Sequence, residues 1–418
     1  MSGPTRAEAT AVFAKIGCLS FGGPAAQIAL MHHQLVEHNK WLSEKQFLNA
    51  ISFCMLLPGP EAMQLATYAG WRLHGVWGGL IAGLLFVLPG AAVVLALAMA
   101  YAIWGDVPLM AAIFLGVKAA VLIIVIEALL KVSRRALKGR LSWAIAAAAF
   151  VGIFFLNVSY PLIVFLAAIV GYFAIRIEGT GAPGPVLVRP SDTALTILIW
   201  LVIWWAPIAV LASLSQAPIL TEIGLFFSKL AVVTFGGAYA VLAYMGQDVV
   251  TQFGWLSAGE MMDGLGLAET TPGPLILVTE FVGFLAAHRE GGIWLGVAGA
   301  LVTLWVTFVP CFLWIFAGAP YIEAISTSPR LSGALQAITA AVVGVILNLS
   351  IWFALHLVFG QITREVFGPL VLWSPDWLSF DGRVLAIAAI CGVLLLKLHW
   401  GLIKVLLLAA LLGVALSM

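Results

Sequence analysis

Apolar residues run along this chain in stretches too long for the buried helix of a soluble domain, and polar residues gather in short clusters between them. Residues 76–104, 110–130 and 292–316 each exceed the roughly 20 residues a helix needs to cross the hydrocarbon core. The pattern predicts helical crossings rather than a barrel: near 10–36, 45–73, 76–104, 109–130, 142–157 and 160–176 in the first half, and near 220–247, 257–287, 291–317, 331–358, 383–398 and 400–417 in the second. Between them, residues 178–192 are rich in Gly and Pro and read as an exposed linker, followed by one further apolar helix at about 194–214.

The two halves are copies of one unit. Lys15, Phe21, Gly22, Gly23, Met31, Trp41, Leu42, Ser43, Pro58, Gly59 and Pro60 recur at a constant offset of 214 as Lys229, Phe235, Gly236, Gly237, Met245, Trp255, Leu256, Ser257, Pro272, Gly273 and Pro274. Further on, Gly75-Val-Trp77-Gly-Gly79 answers Gly292-Ile-Trp294-Leu-Gly296 at an offset of 217, so the second copy carries three extra residues near His288. The expected organisation is a first repeat over 1–177, a linker and connector helix over 178–218, and a second repeat over 219–418. Six crossings plus one connector invert the second copy. Positive charge agrees: from a cytoplasmic N-terminus, the loop with Lys131, Arg134, Arg135, Lys138 and Arg140 falls inside, together with Arg72, Arg176, Arg189 and Arg330. If the Pro-Gly-Pro segments re-enter from one side instead, each half loses a crossing and the copies run parallel; the inverted reading is favoured.

Composition supports an integral membrane protein, with 63% hydrophobic and 9% charged residues against roughly 25% charged in soluble proteins. No cleavable leader is apparent, so the N-terminus is expected to remain. Cys18, Cys54, Cys311 and Cys391 show no paired spacing, and neither a disulfide framework nor a metal knuckle is indicated. The loop of His32, His33, Glu37 and His38 lacks a second ligand cluster, so no metal is expected there. No basic run with interleaved aromatics points to nucleic acid, and no cofactor is implied.

The candidate chemistry lies where the helices must break. Pro58-Gly59-Pro60 and Pro272-Gly273-Pro274 cannot continue a helix, because each Pro removes a donor and clashes with the preceding turn. Phe21-Gly22-Gly23 and Phe235-Gly236-Gly237 add two more interruptions. Irregular backbone survives in a bilayer only when buried in protein or lining a wet cavity, so four paired breaks suggest one central site. Helices restarting after Pro60 and Pro274 present unpaired N–H groups and favour an anion. Lys15 and Lys229, each six residues before its Phe, are the candidate counter-cations, against the blander reading that both snorkel to an interface. Glu61, Gln64 and Thr271 are further candidate contacts, Glu61 and Glu280 are candidate proton carriers, and Arg72 is a candidate gate. Glu61 has an equally good structural reading as a favourable first-turn carboxylate. Glu127 would pair with Lys118 or Lys131.

The run from Lys15 through Phe21-Gly-Gly to Met31, followed by Trp41-Leu-Ser and by Met55 through Pro58-Gly-Pro to Tyr68, resembles the long-chain chromate transporters of the CHR superfamily. Thr234-Phe-Gly-Gly through Leu242 and Thr271-Pro-Gly-Pro-Leu275 are similar to that family's second domain. The resemblance implies a bacterial or archaeal inner-membrane protein that expels chromate, confers chromate resistance and draws on the proton motive force. It also implies two homologous domains of opposite orientation. The expected partners are chromate, with sulfate as its isosteric rival, protons and the lipid bilayer, and a homodimer is compatible with the sequence. A general oxyanion carrier is the nearest alternative; a passive anion channel is the alternative from another class, and an enzyme is not expected.

Overall fold

The structure, a computed structural model, describes residues 3–105, 107–175, 190–214, 217–235, 238–322 and 328–417. Most of the expected linker, with Arg176 and Arg189, lies outside them. The described residues are overwhelmingly helical. The first repeat contributes α1 (Arg6–Leu19), α2 (Gly23–His32, prolonged by a π turn, His33–His38), α3 (Glu44–Cys54), α4 (Glu61–Trp104), α5 (Pro108–Ala136), α6 (Arg140–Phe154) and α7 (Tyr160–Ala174). The connector is α8 (Pro190–Leu214). The second repeat contributes α9 (Pro218–Val233), α10 (Ala238–Thr251), α11 (Ala258–Thr270), α12 (Val278–Gly318), α13 (Pro329–Val358), a hairpin of β1 (Ile362–Phe367) and β2 (Leu370–Pro375), α14 (Gly382–Gly392) and α15 (Leu402–Ser417). Among the described residues, five helical stretches are long and apolar enough to cross a membrane: α4, α5, α8, Leu275–Tyr321 and α13.

The chain forms two compact units, and each draws on both repeats rather than matching one of them. The first holds Met1–Met99, Ile177–Ala238 and Ala268–Ser332. Within it, the expected crossing at 10–36 is two half-length helices, because Gly22 and Gly23 adopt φ of +84° and +78° and end α1 before α2 begins. The expected crossing at 45–73 is likewise split, into α3 and the first arm of α4. That arm, 61–73, turns back sharply into the long arm 76–104 at His74 (φ −137°, ψ 24°) and Gly75 (φ 65°, ψ −154°). The second repeat repeats the reversal at Gly291 (φ −149°, ψ 19°) and Gly292 (φ 77°, ψ −169°), between arms 278–290 and 293–318. A left-handed residue at the corner is what glycine supplies without steric penalty.

Contact order orients these pieces. The rings of Phe316 and Phe312 lie over Gly79 and Gly83, where any Cβ would meet each ring at 2.7 Å, so arms 76–104 and 293–318 run antiparallel. Moving along the latter arm from Cys311, which abuts Gly59, to Gly318, which abuts Phe53, one moves backwards into α3. Arm 61–73 extends from the same break in the same direction, since the carbonyl of Thr67 faces Gly79. The far end of α2 joins the start of α3, with His32 Nε2 2.8 Å from Glu44 Oε2. Helix α1 also starts at the Gly75 end, where Arg6 and Phe13 share a pocket with His74 and Trp77, and its Gly17 packs on the carbonyl of Leu85. All four half-length helices of the first repeat therefore reach from the breaks toward the Gly75 corner. Helix α8 lies along 293–318, with Trp200 stacked on Phe312 at 5.6 Å between ring centroids.

The second unit holds Ala100–Arg176, Tyr239–Leu267 and Gly333–Met418. Small residues allow its helices to approach closely, the usual route to packing where lipid removes the hydrophobic drive. Gly116 of α5 sits on the carbonyl of Ala409 in α15, and Gly171 of α7 on that of Gly333 in α13. The β-hairpin is fixed to the end of α6 by a hydrogen bond from Val371 N to Phe155 O (2.7 Å). Glu127 pairs with Lys131 at 2.6 Å.

Candidate functional site

The breaks of the two repeats cross. Ser20 and Thr234 occupy equivalent places at the ends of α1 and α9, and each turns its hydroxyl back onto the carbonyl four residues earlier, Ile16 and Leu230. Each then offers its own carbonyl to the other repeat. Gly59 N donates to Thr234 O at 2.9 Å, and Gly273 N donates to Ser20 O at 2.8 Å. The central amide of each Pro-Gly-Pro is thus held by the residue before the Phe-Gly-Gly of the opposite half. These bonds satisfy groups that the prolines strip from any helix and that burial would otherwise penalise.

Side chains complete this frame unequally. Gln27 Nε2 donates to Gly273 O at 2.7 Å and reaches Ser20 O at 3.4 Å. Gln64 Nε2 donates to Pro58 O at 2.7 Å. Both glutamines are buried, and the equivalent residues of the second repeat are Val241 and Val278. Gln64 Oε1 is buried without a partner among the described residues. A Cβ on Gly59, whose φ is +117°, would stand 2.8 Å from Gln64 Nε2 and 3.0 Å from Cys311 Sγ, so this corner is filled.

Helix starts converge on the frame. Helix α2 begins with Gly22 as N-cap and Pro24 in its first turn, and no side chain caps it. Arm 61–73 begins directly after Pro60, and a 3-10 turn (Leu275–Leu277) without a side-chain cap leads from Pro274 into arm 278–290. Uncapped first turns leave N–H groups for an anion.

The remaining sequence candidates divide by exposure. Pro58, Gly59, Pro60, Gly273 and Pro274 are buried, Gly23 and Pro272 half-buried. Thr271 is buried and donates to Ala268 O at 3.0 Å. Phe21 and Gly22 are exposed, and Phe235 is half-buried. Gly236 and Gly237 lie outside the described residues. Lys15 and Lys229 are both exposed, five residues before Ser20 and Thr234, and Arg72 is exposed beside the Gly75 corner. Glu61 is half-buried in the first turn of its arm. Glu280 is fully buried, and neither carboxylate oxygen has a partner among the described residues. At the far end of α2 the histidines engage carboxylates: His32 Nδ1 lies 3.4 Å from Glu37, and His33 Nδ1 lies 2.8 Å from it. The His33 hydrogen bond holds the Glu37 carboxyl below its ordinary range. Ser20, Gln27 and Thr234 are not among the sequence candidates; a lone glutamine in the apolar run that follows Phe21-Gly-Gly is the signal for Gln27.

A probable chromate transport protein of Synechococcus elongatus is 31% identical over 401 residues, covering 93% of this chain and 95% of that one. A chromate transport protein of Cupriavidus metallidurans is 31% identical over 80% of this chain and 79% of its own, and one from Pseudomonas aeruginosa is 33% identical over 80% and 77%. No solved structure matches. The chromate transporter family matches residues 7–172 and 221–414, one segment in each repeat, and the chain belongs to that family.

Proposed function

We propose that this protein carries chromate out of the cytoplasm, binding the tetrahedral dianion where the breaks of the two repeats cross. The observation that supports this most is the reciprocal pair of bonds, Gly59 to Thr234 and Gly273 to Ser20, which gathers uncapped helix starts from both repeats around one frame. Each helix start contributes about 0.3 to 2 kcal/mol toward an anion, so cations are needed as well. Lys15 and Lys229, at equivalent places just before the frame, supply them.

The repeats lie inverted in the inner membrane, with the N-terminus cytoplasmic. Two re-entrant pairs per half remove two crossings rather than one; before α9, arm 76–104, α5 and α8 are long enough to pass, and the 15-residue helices α6 and α7 add two passes or, as a hairpin, none. An odd number turns the second repeat over. The Gly75 corner, with Arg72, then shares its face with the basic loop Lys131 to Arg140, as the cytoplasmic bias of Lys and Arg requires. Rocking of one repeat against the other exposes the site alternately. Proton binding at Glu280, a buried carboxyl without a partner among the described residues, drives the return, with Glu61 at the first break as a second carrier and Arg72 as a cytoplasmic gate.

Everted membrane vesicles test this reading. Chromate should accumulate only when a proton gradient is imposed, and excess sulfate should compete if the site reads shape and charge alone. Accumulation independent of the gradient would favour a passive channel, and no accumulation in vesicles that energise normally would refute chromate export.

A further inference from the structure

A buried ion pair in the second unit joins α11 to the first repeat's helices. Asp263 is 3% exposed. Its Oδ2 accepts a hydrogen bond from Tyr101 Oη at 2.8 Å and lies 3.2 Å from Lys118 Nζ. Its Oδ1 is buried with no partner among the described residues. Lys118 stands ten residues into α5, about 15 Å from its start at 1.5 Å per residue. Gly259, one turn before Asp263, gives the ammonium room, since a Cβ there would lie 3.2 Å from Nζ. The nearby acid, Glu260, is engaged in its own capping box, accepting from Ser257 N and Oγ at 2.8 Å.

We propose that Asp263, set between Lys118 and Tyr101, is a further proton-binding site of the transport cycle, distinct from Glu280 and Glu61, one that holds α11 while charged and frees it when protonated. The proposal rests on the proton-driven reading above. Three observations carry it. An ion pair kept only for stability would satisfy both carboxylate oxygens, because desolvation outweighs attraction otherwise; here one oxygen is left open to receive a proton. The counterpart positions carry no charge. At offsets of 214 and 217 the equivalents of Asp263 and Tyr101 are Asn49 and Gly318. Pro108 and Pro329, which begin α5 and α13, set an offset of 221, and the equivalent of Lys118 is Thr339. None of these three counterparts is ionisable. The pair is also wired to the frame, because α11 runs directly into Thr271 and Pro272, two turns after Asp263. In the proton-bound state the new O–H bond forms at Oδ1, Lys118 stays an ammonium, and its attraction to α11 is lost. Ionisable residues inside apolar segments are functional by default for this reason.

The test uses the full chain in proteoliposomes with radiolabelled chromate in two assays: chromate-for-chromate exchange without a gradient, and accumulation driven by a pH gradient. Asp263→Asn should keep exchange and lose accumulation, and Asp263→Glu should keep both. If Asp263→Asn fails to fold, the double change Asp263→Asn with Lys118→Gln removes both charges together and should give the same split. Wild-type accumulation in the Asn variant overturns the proposal. So does loss of exchange along with accumulation in a protein of unchanged thermal stability, which would make Asp263 part of substrate binding. Exchange without gradient-driven accumulation in the wild type refutes the proton-driven reading itself and the proposal with it.

Discussion

Replacing Gln27 with Leu removes one side-chain amide from the crossed frame while keeping a buried side chain of similar size. The Gly273 carbonyl then loses the 2.7 Å bond from Gln27 Nε2, while the Gly273 amide keeps its bond to Ser20. Losing an average hydrogen bond costs about 1 kcal/mol, and a buried carbonyl left without a donor costs about 1–3 kcal/mol. If the bond exists in only one of the two access states, that state is depopulated by about 5- to 150-fold. The assay is the initial rate of gradient-driven chromate uptake in everted vesicles, read beside thermal stability of the detergent-purified protein. Gln27→Asn, polar but one methylene shorter, cannot span the same distance and should behave like Gln27→Leu, which separates reach from polarity. If Gln27→Leu matched wild type in both uptake and stability, the frame as described would be refuted.

Three further outcomes follow from neighbouring geometry. Gly59→Ala and Gly273→Ala both place a side chain at positive φ, at a cost of about 1–3 kcal/mol, but Gly59→Ala should destabilise more, because its Cβ meets Gln64 and Cys311 where that of Gly273 meets the flexible end of Leu277 at 3.0 Å; a reversed order of melting temperatures would contradict the packing. Glu280→Gln should leave thermal stability equal or raised, since it removes a buried carboxyl with no partner among the described residues, while abolishing gradient-driven accumulation; a variant that accumulates chromate normally would exclude Glu280 as a carrier. Outside the membrane, the hydrogen bonds from Arg383 hold the Asp381 carboxyl below the usual aspartate range. Its contribution is therefore present above the unfolded value and lost as pH falls through the lowered one, so Asp381→Asn should flatten the acid limb of a stability–pH curve, and an unchanged limb would count against the pairing.

Much of the fold was legible because it rests on residues with strong local rules. Prolines and glycines marked every break, and the 214-residue offset marked the duplication. What the sequence concealed depends on contacts between distant segments. That α3 and arm 61–73 share one side of the break follows from Phe53 meeting Gly318, and neither residue advertises the other. The reciprocal bonds run through backbone amides and carbonyls, which every sequence carries alike. Side-chain pairing was legible only at helical spacing. Glu127 and Lys131 are four residues apart and meet, whereas Lys118 and Glu127, nine apart at about 100° per residue, face opposite sides of α5. Lys118 instead finds Asp263, far along the chain.

The exchange of bonds between repeats has a mechanical consequence. Were each Pro-Gly-Pro tied to the Phe-Gly-Gly of its own half, either break could rearrange alone, and two access states would need a separate device to exclude each other. Here Gly59 is held by the second repeat and Gly273 by the first. Moving the end of α1 strains the second break, and moving the end of α9 strains the first, so the halves change together or not at all. The backbone of this arrangement is symmetric, which would make the two access states of the proposed cycle similar in energy. The chemistry placed on it is not, since Gln27, Gln64 and Glu280 have Val241, Val278 and Ala66 as their counterparts. A symmetric frame would permit the proposed alternation, while amides in the first repeat and a carboxyl in the second make the two halves chemically unequal.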